Sequence, residues 1–156
     1  MYNVGGKFTR SPFLEQPFSD FQHLVNTNIA GGFHFSQQAL PMLLAGVEKD
    51  SKHSPSLIFT GATASLRAGA TFSSFSVSKH GVRALSQSLA KEFGPQGVHV
   101  SHVILDGVVG VNPGAGLQQN RIDPNSVAEA YWYLHTQDNS AWTWELDLRS
   151  NTEKWT

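Results

Sequence analysis

Two short apolar runs, each stopped by glycine, constrain this chain more than any other feature. SLIFTG (residues 56–61) is an uninterrupted apolar stretch of strand length, the signature of a strand buried on both faces of a parallel sheet. VHVSHVILDG (residues 98–107) is rich in β-branched residues and ends the same way. Parallel neighbours need a crossover between them. Here Val82, Leu85, Leu89 and Phe93 recur along one helical face that stops at Gly94 and Pro95. Upstream, apolar residues at Phe21, Leu24, Val25, Ile29, Phe33, Leu40, Leu43 and Leu44 predict one long helix from about Ser19 to Leu44, with Ser19 and Asp20 as N-cap candidates. Downstream, Asp123 followed by Pro124 opens a helix through about His135. WTWELDLR then alternates Trp142, Trp144, Leu146 and Leu148 with polar partners, as a half-buried last strand does. MYNVGG reads as a strand end running into a glycine turn. Helices and strands in this order give an α/β layered sheet, and 156 residues without repeat, linker or low-complexity tract give one domain.

Composition closes several routes to function. A net charge of -1 with 15% charged residues is neither the basic balance of a nucleic-acid binder nor the polarity of a disordered chain. With no cysteine, disulfides, zinc thiolates and cysteine nucleophiles are excluded. Nothing approaches the roughly 18 apolar residues of a membrane span, and the N-terminus has no apolar run of signal-peptide length. The expectation is a soluble cytoplasmic protein, with no nucleic-acid or membrane partner. His99 and His102 lie an odd number of residues apart on a predicted strand, so they point to opposite faces and form no metal pair. They read as surface or core histidines.

In an open α/β sheet the ligand crevice lies beyond the carboxyl ends of the strands. TGATAS, DGVV and NVGG all land there. YNVGG resembles an Asn-Asn-Ala-Gly turn, with Asn3 and Gly5 matching, and NTNIAGGF resembles a helix bearing an active-site asparagine, at Asn28. FSVSK stands where a Tyr-x-x-x-Lys motif would be, with Lys79 matching and Phe75 departing. Thirteen residues before Phe75, at the position of a catalytic serine, is Ala62, with the hydroxyls of Thr60, Thr63 and Ser65 nearby and Thr63 the nearest possible substitute. DGVV resembles a Pro-Gly turn, with Gly107 kept and Asp106 where proline is usual. Together these motifs resemble the short-chain dehydrogenase/reductase family over essentially the whole chain, but only over the latter part of that family's domain.

The resemblance implies a partial Rossmann-like, doubly wound parallel sheet. Its first three strands, the glycine loop and the residue that selects NAD or NADP are not among these residues, so a long parallel edge is expected to be unpaired. It implies catalytic roles for Asn28 and Lys79, NAD(P) contacts from Asn3, Gly5, Lys79, Gly107 and Val108, and a small carbonyl or alcohol substrate. Ala62 and Phe75 are then degenerate positions. Phenylalanine has no titratable proton, which removes general acid catalysis of about 10²–10⁴. Alanine removes an oxyanion-type donor of about 10²–10³, and the two losses are not additive. The expectation is an NAD(P)-dependent oxidoreductase homologue that is weak or inactive. The alternative is a non-catalytic partner that pairs through its two long helices, around Leu85 and Leu89, with a second copy or an intact paralogue.

Each residue also has a plainer role: Phe75 in a core, Asn28 as a structural amide, Lys79 as a solvated helix lysine. GVNPGAG (residues 110–116) has the glycine spacing of a pyrophosphate cradle, but it trails a late strand and is interrupted by Pro113. It reads as a loop near the substrate side.

Overall fold

The structure, a computed structural model, describes residues 1–5, 8, 10–49, 51–110 and 121–153. Most of the 110–116 loop therefore lies outside the described residues. In chain order the elements are α1 (Phe18–Leu24), a π-helical stretch (Val25–Ala30), α2 (Gly31–Val47), β1 (Ser56–Thr60), α3 (Ser73–Phe93), β2 (His99–Asp106), β3 (Val108–Val109), β4 (Arg121–Ile122), α4 (Pro124–Thr136) and β5 (Glu145–Arg149).

The main sheet has the order β1-β2-β5 and is parallel throughout, with Ser56 opposite His99 and Asp106 opposite Arg149. Tyr2 adds a parallel bridge on the outer side of β1: its N–H donates to the Ile58 carbonyl at 2.8 Å, and its carbonyl accepts from Thr60 N–H at 3.0 Å. Tyr2 is an isolated bridge, within the stretch expected to be a strand end.

Strand alternation sends Leu57 and Phe59 to one face, where they pack with Val98, Val100, Leu40 of α2 and Val82 of α3. Ile58 and Val103 face the other way, onto Leu134 of α4, Leu146 and Leu148. Full burial of each such side chain contributes about 1.5–3 kcal/mol, so helices on both faces are what make the parallel sheet tenable.

Two expectations need correction. The first long helix begins at Phe18 and runs to Val47, with a π-helical stretch in its middle. Ser19 and Asp20 are not caps, because Asp20 N–H already bonds the Pro17 carbonyl at 3.0 Å and both residues lie inside the first turn. The last strand begins at Glu145, after both tryptophans. The Thr143 carbonyl is taken by His99 Nε2 at 3.0 Å and Ser101 Oγ at 2.9 Å, so the ladder starts only with His102 N–H to the Trp144 carbonyl at 2.9 Å. His99 and His102 do point to opposite faces, and both are core residues. His99 stacks on Trp142 with ring centroids 4.8 Å apart, whereas His102 turns toward α3 and meets Glu145 at 2.9 Å.

Candidate active site

The π-helical stretch carries Asn28, 1% exposed. A π turn shifts the hydrogen-bond ladder by one residue and recurs at functional sites. Asn28 Nδ2 donates to the Leu24 carbonyl at 3.1 Å, while Oδ1 is buried without a partner. The Tyr2 hydroxyl donates to the Thr27 carbonyl of the same stretch and so ties it to the sheet edge. On its other side α3 comes so close that a Cβ at Gly81 would collide with Ile29 Cδ1. Glycine at position 81 is what lets α3 settle against this stretch.

Lys79 is no solvated lysine. It is 7% exposed, and burial holds its amine below the ordinary lysine range. Its Nζ donates to the Thr60 carbonyl at the end of β1 (3.2 Å) and lies 5.9 Å from the centre of the Phe75 ring. Phe75 is half-buried, so the ring beside the ammonium is neither a fully packed core residue nor a proton donor.

A cleft of about 490 Å³ opens between the Thr63–Ser65 turn and the start of α3. Ala62, Thr63, Phe75, Gly107 and Val108 all line it. Gly107 adopts φ 148°, a conformation that would strain any side chain. Of the expected site residues, Lys79 does not line the cleft, though its Nζ lies 5.9 Å from the centre of the Phe75 ring, and Asn28 lies in the π turn. Asn3 lines a separate groove of about 600 Å³ with Ile58, Val109, Tyr131 and Trp132, and Leu105 borders both spaces. Gly5 is exposed, with nothing within 4 Å of a Cβ placed there.

Several contacts were not foreseen. Thr63 Oγ1 donates to Asp106 Oδ1, and Asp106 Oδ2 pairs with Arg149 Nη1 at 2.5 Å. Phe8 folds back from the N-terminal segment onto Phe72 and Phe75, with ring centroids 5.5 and 5.2 Å apart. Ser76, 3% exposed, borders the cleft with its Oγ unpartnered. Tyr131 bonds Thr60 Oγ1 at 2.7 Å, but burial raises its phenol, the opposite of what a neutral-pH proton donor needs. The one sequence signal for these contacts was Asp106 standing in a proline position. The others join residues far apart in the chain.

Comparison with known proteins shows which family the chain resembles. The short chain dehydrogenase family model matches residues 1–114. A (-)-trans-carveol dehydrogenase of Rhodococcus erythropolis is 34% identical over 92 residues, which cover 58% of this chain and 31% of that protein. The crystal structure of a short-chain dehydrogenase from Rhodopseudomonas palustris superposes with a TM-score of 0.77 at 34% identity, over 95% of this chain and 59% of that one. An alcohol dehydrogenase from the archaeon Thermococcus sibiricus, solved with 5-hydroxy-NADP, gives a TM-score of 0.81 at 19% identity, over 97% of this chain and 63% of that one. At that identity the last likeness shows fold alone. The chain spans less than two thirds of the length of each of these relatives. Motifs, sheet order and the matched family model converge: this chain belongs to the short-chain dehydrogenase family.

Proposed function

We propose that this chain is the substrate-side part of an NAD(P)-dependent oxidoreductase site that has lost its ordinary proton-transfer step. The observation that carries this reading is the Phe75 ring at 5.9 Å from Lys79 Nζ, in a cleft whose serine position is Ala62. A phenyl ring there neither gives nor takes a proton, so reduction of a carbonyl loses its acid and oxidation of an alcohol loses its base.

NAD(P) would supply or accept the hydride. Toward it the residues fit in part. Lys79 has one hydrogen bond, to the Thr60 carbonyl, leaving N–H donors for ribose hydroxyls, and Gly107 offers a turn without a side chain. Asn28 Oδ1, buried without a partner, is an acceptor available to an ordered water or donor. Membership of the short chain dehydrogenase family, whose model matches residues 1–114, supports the choice of cofactor class. Small alcohols or ketones are the matching substrates and the cytoplasm the matching compartment. Among the described residues no helix is long and apolar enough to cross a membrane.

The test is turnover. The 156-residue chain, given NADPH or NADP⁺ with a panel of ketones and secondary alcohols, should run no faster than buffer. In a chain that also carries a glycine-rich nucleotide half, Phe75→Tyr with Ala62→Ser should raise kcat by roughly 10²–10⁴ over the same chain without them. Steady cofactor-dependent turnover by the unsubstituted site would overturn the reading.

A second reading, a non-catalytic partner, is favoured by one surface. A groove between α2 and α3 is lined by Phe33, Leu40, Leu44, Leu85, Leu89 and Phe93, and Phe33 and Met42 are 49% and 76% exposed. Association with a second copy or a full-length relative, lost in Phe33→Glu and retained in Leu14→Glu, would support it. Leu14 is 96% exposed and away from that groove.

A further inference from the structure

We infer that His53 and His135 are the two protein ligands of a site for a nitrogen-preferring divalent metal ion, of the zinc or copper class, and that the ion ties α4 to the start of β1. The site lies at the end of the sheet opposite the cleft: Ser56 opens β1, whereas Leu105 and Gly107, which line the cleft, stand at the end of β2. The two imidazoles come from segments far apart in the chain, His53 from the loop before β1 and His135 from the last turn of α4. Their ring centres are 5.7 Å apart, with planes inclined at 59°. Zinc holds imidazole nitrogens at about 2.0–2.1 Å, so two rings on one tetrahedral ion have centres roughly 5 Å apart, and wider angles at the metal carry that to roughly 6 Å. The observed separation falls inside that span.

One nitrogen of His135 is already placed. Its Nδ1 lies 2.8 Å from Ser56 Oγ, a bond in which Nδ1–H donates when Nε2 carries the metal. Metal-bound histidines are held in this way by a bond on the other nitrogen, which fixes tautomer and ring direction. The His53 ring has no hydrogen bond to any described residue, so both of its nitrogens are open to an ion. Trp132 packs against both imidazoles, with its ring centre 6.4 Å from that of His53 and 5.4 Å from that of His135. His135 also sits in the final turn of a 13-residue helix, where the backbone dipole ends negative and favours a cation. No group of three or more histidines and carboxylates with metal-binding geometry exists among the described residues, so the remaining positions on the ion fall to water. Two imidazoles without a carboxylate suit zinc, copper or nickel, and not magnesium or calcium, which take oxygen ligands.

The test is calorimetric titration of the tag-free 156-residue chain with Zn²⁺ and, separately, with Mg²⁺. One zinc ion should bind per chain with a Kd of roughly 1–100 µM, as two ligands in place of four imply, and magnesium should not bind. His53→Gln and His135→Gln should each weaken zinc binding by about tenfold or more, and Ser56→Ala should weaken it by less. His23→Gln in α1 and His34→Gln in α2 should leave it unchanged. Bound zinc should raise the urea midpoint of the unsubstituted chain and not that of His53→Gln, because the ion bridges two elements. Cu²⁺ should quench tryptophan fluorescence, and most of that quench should vanish in Trp132→Phe while zinc affinity is kept. Absence of zinc binding by the unsubstituted chain overturns the inference without any variant having to fold. Full zinc affinity in either His53→Gln or His135→Gln, or an undiminished copper quench in Trp132→Phe, overturns it as well. None of these readouts involves turnover or nucleotide, so the reading of the cleft stands or falls separately.

Discussion

Replacing Glu145 by alanine should unfasten α3 from the far strand of the sheet. The carboxylate accepts Arg83 Nε at 2.6 Å, Arg83 Nη2 at 2.9 Å and His102 Nδ1 at 2.9 Å, so one side chain joins α3, β2 and β5. The two partners are not equal. Arg83 is 32% exposed and lies over the Trp144 ring at 5.8 Å, where water replaces much of what the ion pair supplies, leaving about 0.5–1 kcal/mol. His102 is 0% exposed, and an Nδ1–H left without an acceptor there costs about 1–3 kcal/mol. The expected loss is therefore about 1.5–4 kcal/mol. For a chain of this length that is a fall in Tm of roughly 3–16 °C. Urea unfolding followed by the fluorescence of the tryptophans beside the network would read it. Glu145→Gln keeps one acceptor oxygen, which can serve His102 Nδ1 and Arg83 Nε as Oε2 does, and should cost less than half as much, and Arg83→Met should cost no more than about 1 kcal/mol. If Arg83→Met proves as damaging as Glu145→Ala, or if Glu145→Ala costs under about 1 kcal/mol, the orphaned histidine does not set the cost and the assignment is refuted.

Acid should destabilise the fold through its buried histidines. Burial is the main cause holding both His99 and His102 below their ordinary value of 6.5, so the unfolded chain takes up protons first and stability falls as pH drops below that value. Burial pushes Glu145 up, but the hydrogen bonds and charges of Arg83 and His102 outweigh it, so its contribution is lost only below its ordinary 4.5. Urea midpoints between pH 7.5 and 5 should decline, and His102→Asn should flatten part of that decline; a level profile would refute it. Gly61→Ala would drive a Cβ into His102 Nε2 and to 2.7 Å from Ser65 Oγ, both on fully buried side chains, and should cost about 1–3 kcal/mol. Gly94 is helical at φ -54° with open space around it, so Gly94→Ala should stabilise by about 0.4–1 kcal/mol, and the same unfolding assay separates the two.

The fold was legible because its signals are local. SLIFT and HVSHVILD show their burial in composition alone, and the helix ending at Phe93 shows it in spacing. The π-helical stretch was not legible, because the periodicity of Leu24, Val25 and Ile29 is nearly the same whether one residue is inserted in the ladder or not. Trp142 and Trp144 alternate like strand residues, but side chains of His99 and Ser101 claim the Thr143 carbonyl that a ladder would need. Within the site, Lys79 and Phe75 were found because FSVSK stands in the place of the family's Tyr-x-x-x-Lys motif, and their spacing in a helix fixes their proximity. Phe8 and Ser76 were missed. Nothing around Phe8 in the sequence records that its ring meets Phe72 and Phe75, more than sixty residues away, and an unpartnered hydroxyl is defined only by what surrounds it.

By itself the sequence determined the parallel α/β layering and the absence of a titratable group at Phe75, since side-chain chemistry and periodicity are properties of the chain alone, and its motifs carried the resemblance to the family. Only the tertiary structure decided that Lys79 is buried against the Thr60 carbonyl, that the Thr63 proton belongs to Asp106, and that Glu145 joins three elements. Burial and hydrogen-bond partners are relations between distant residues, and the crossing of α3 over β1, β2 and β5 brings them together.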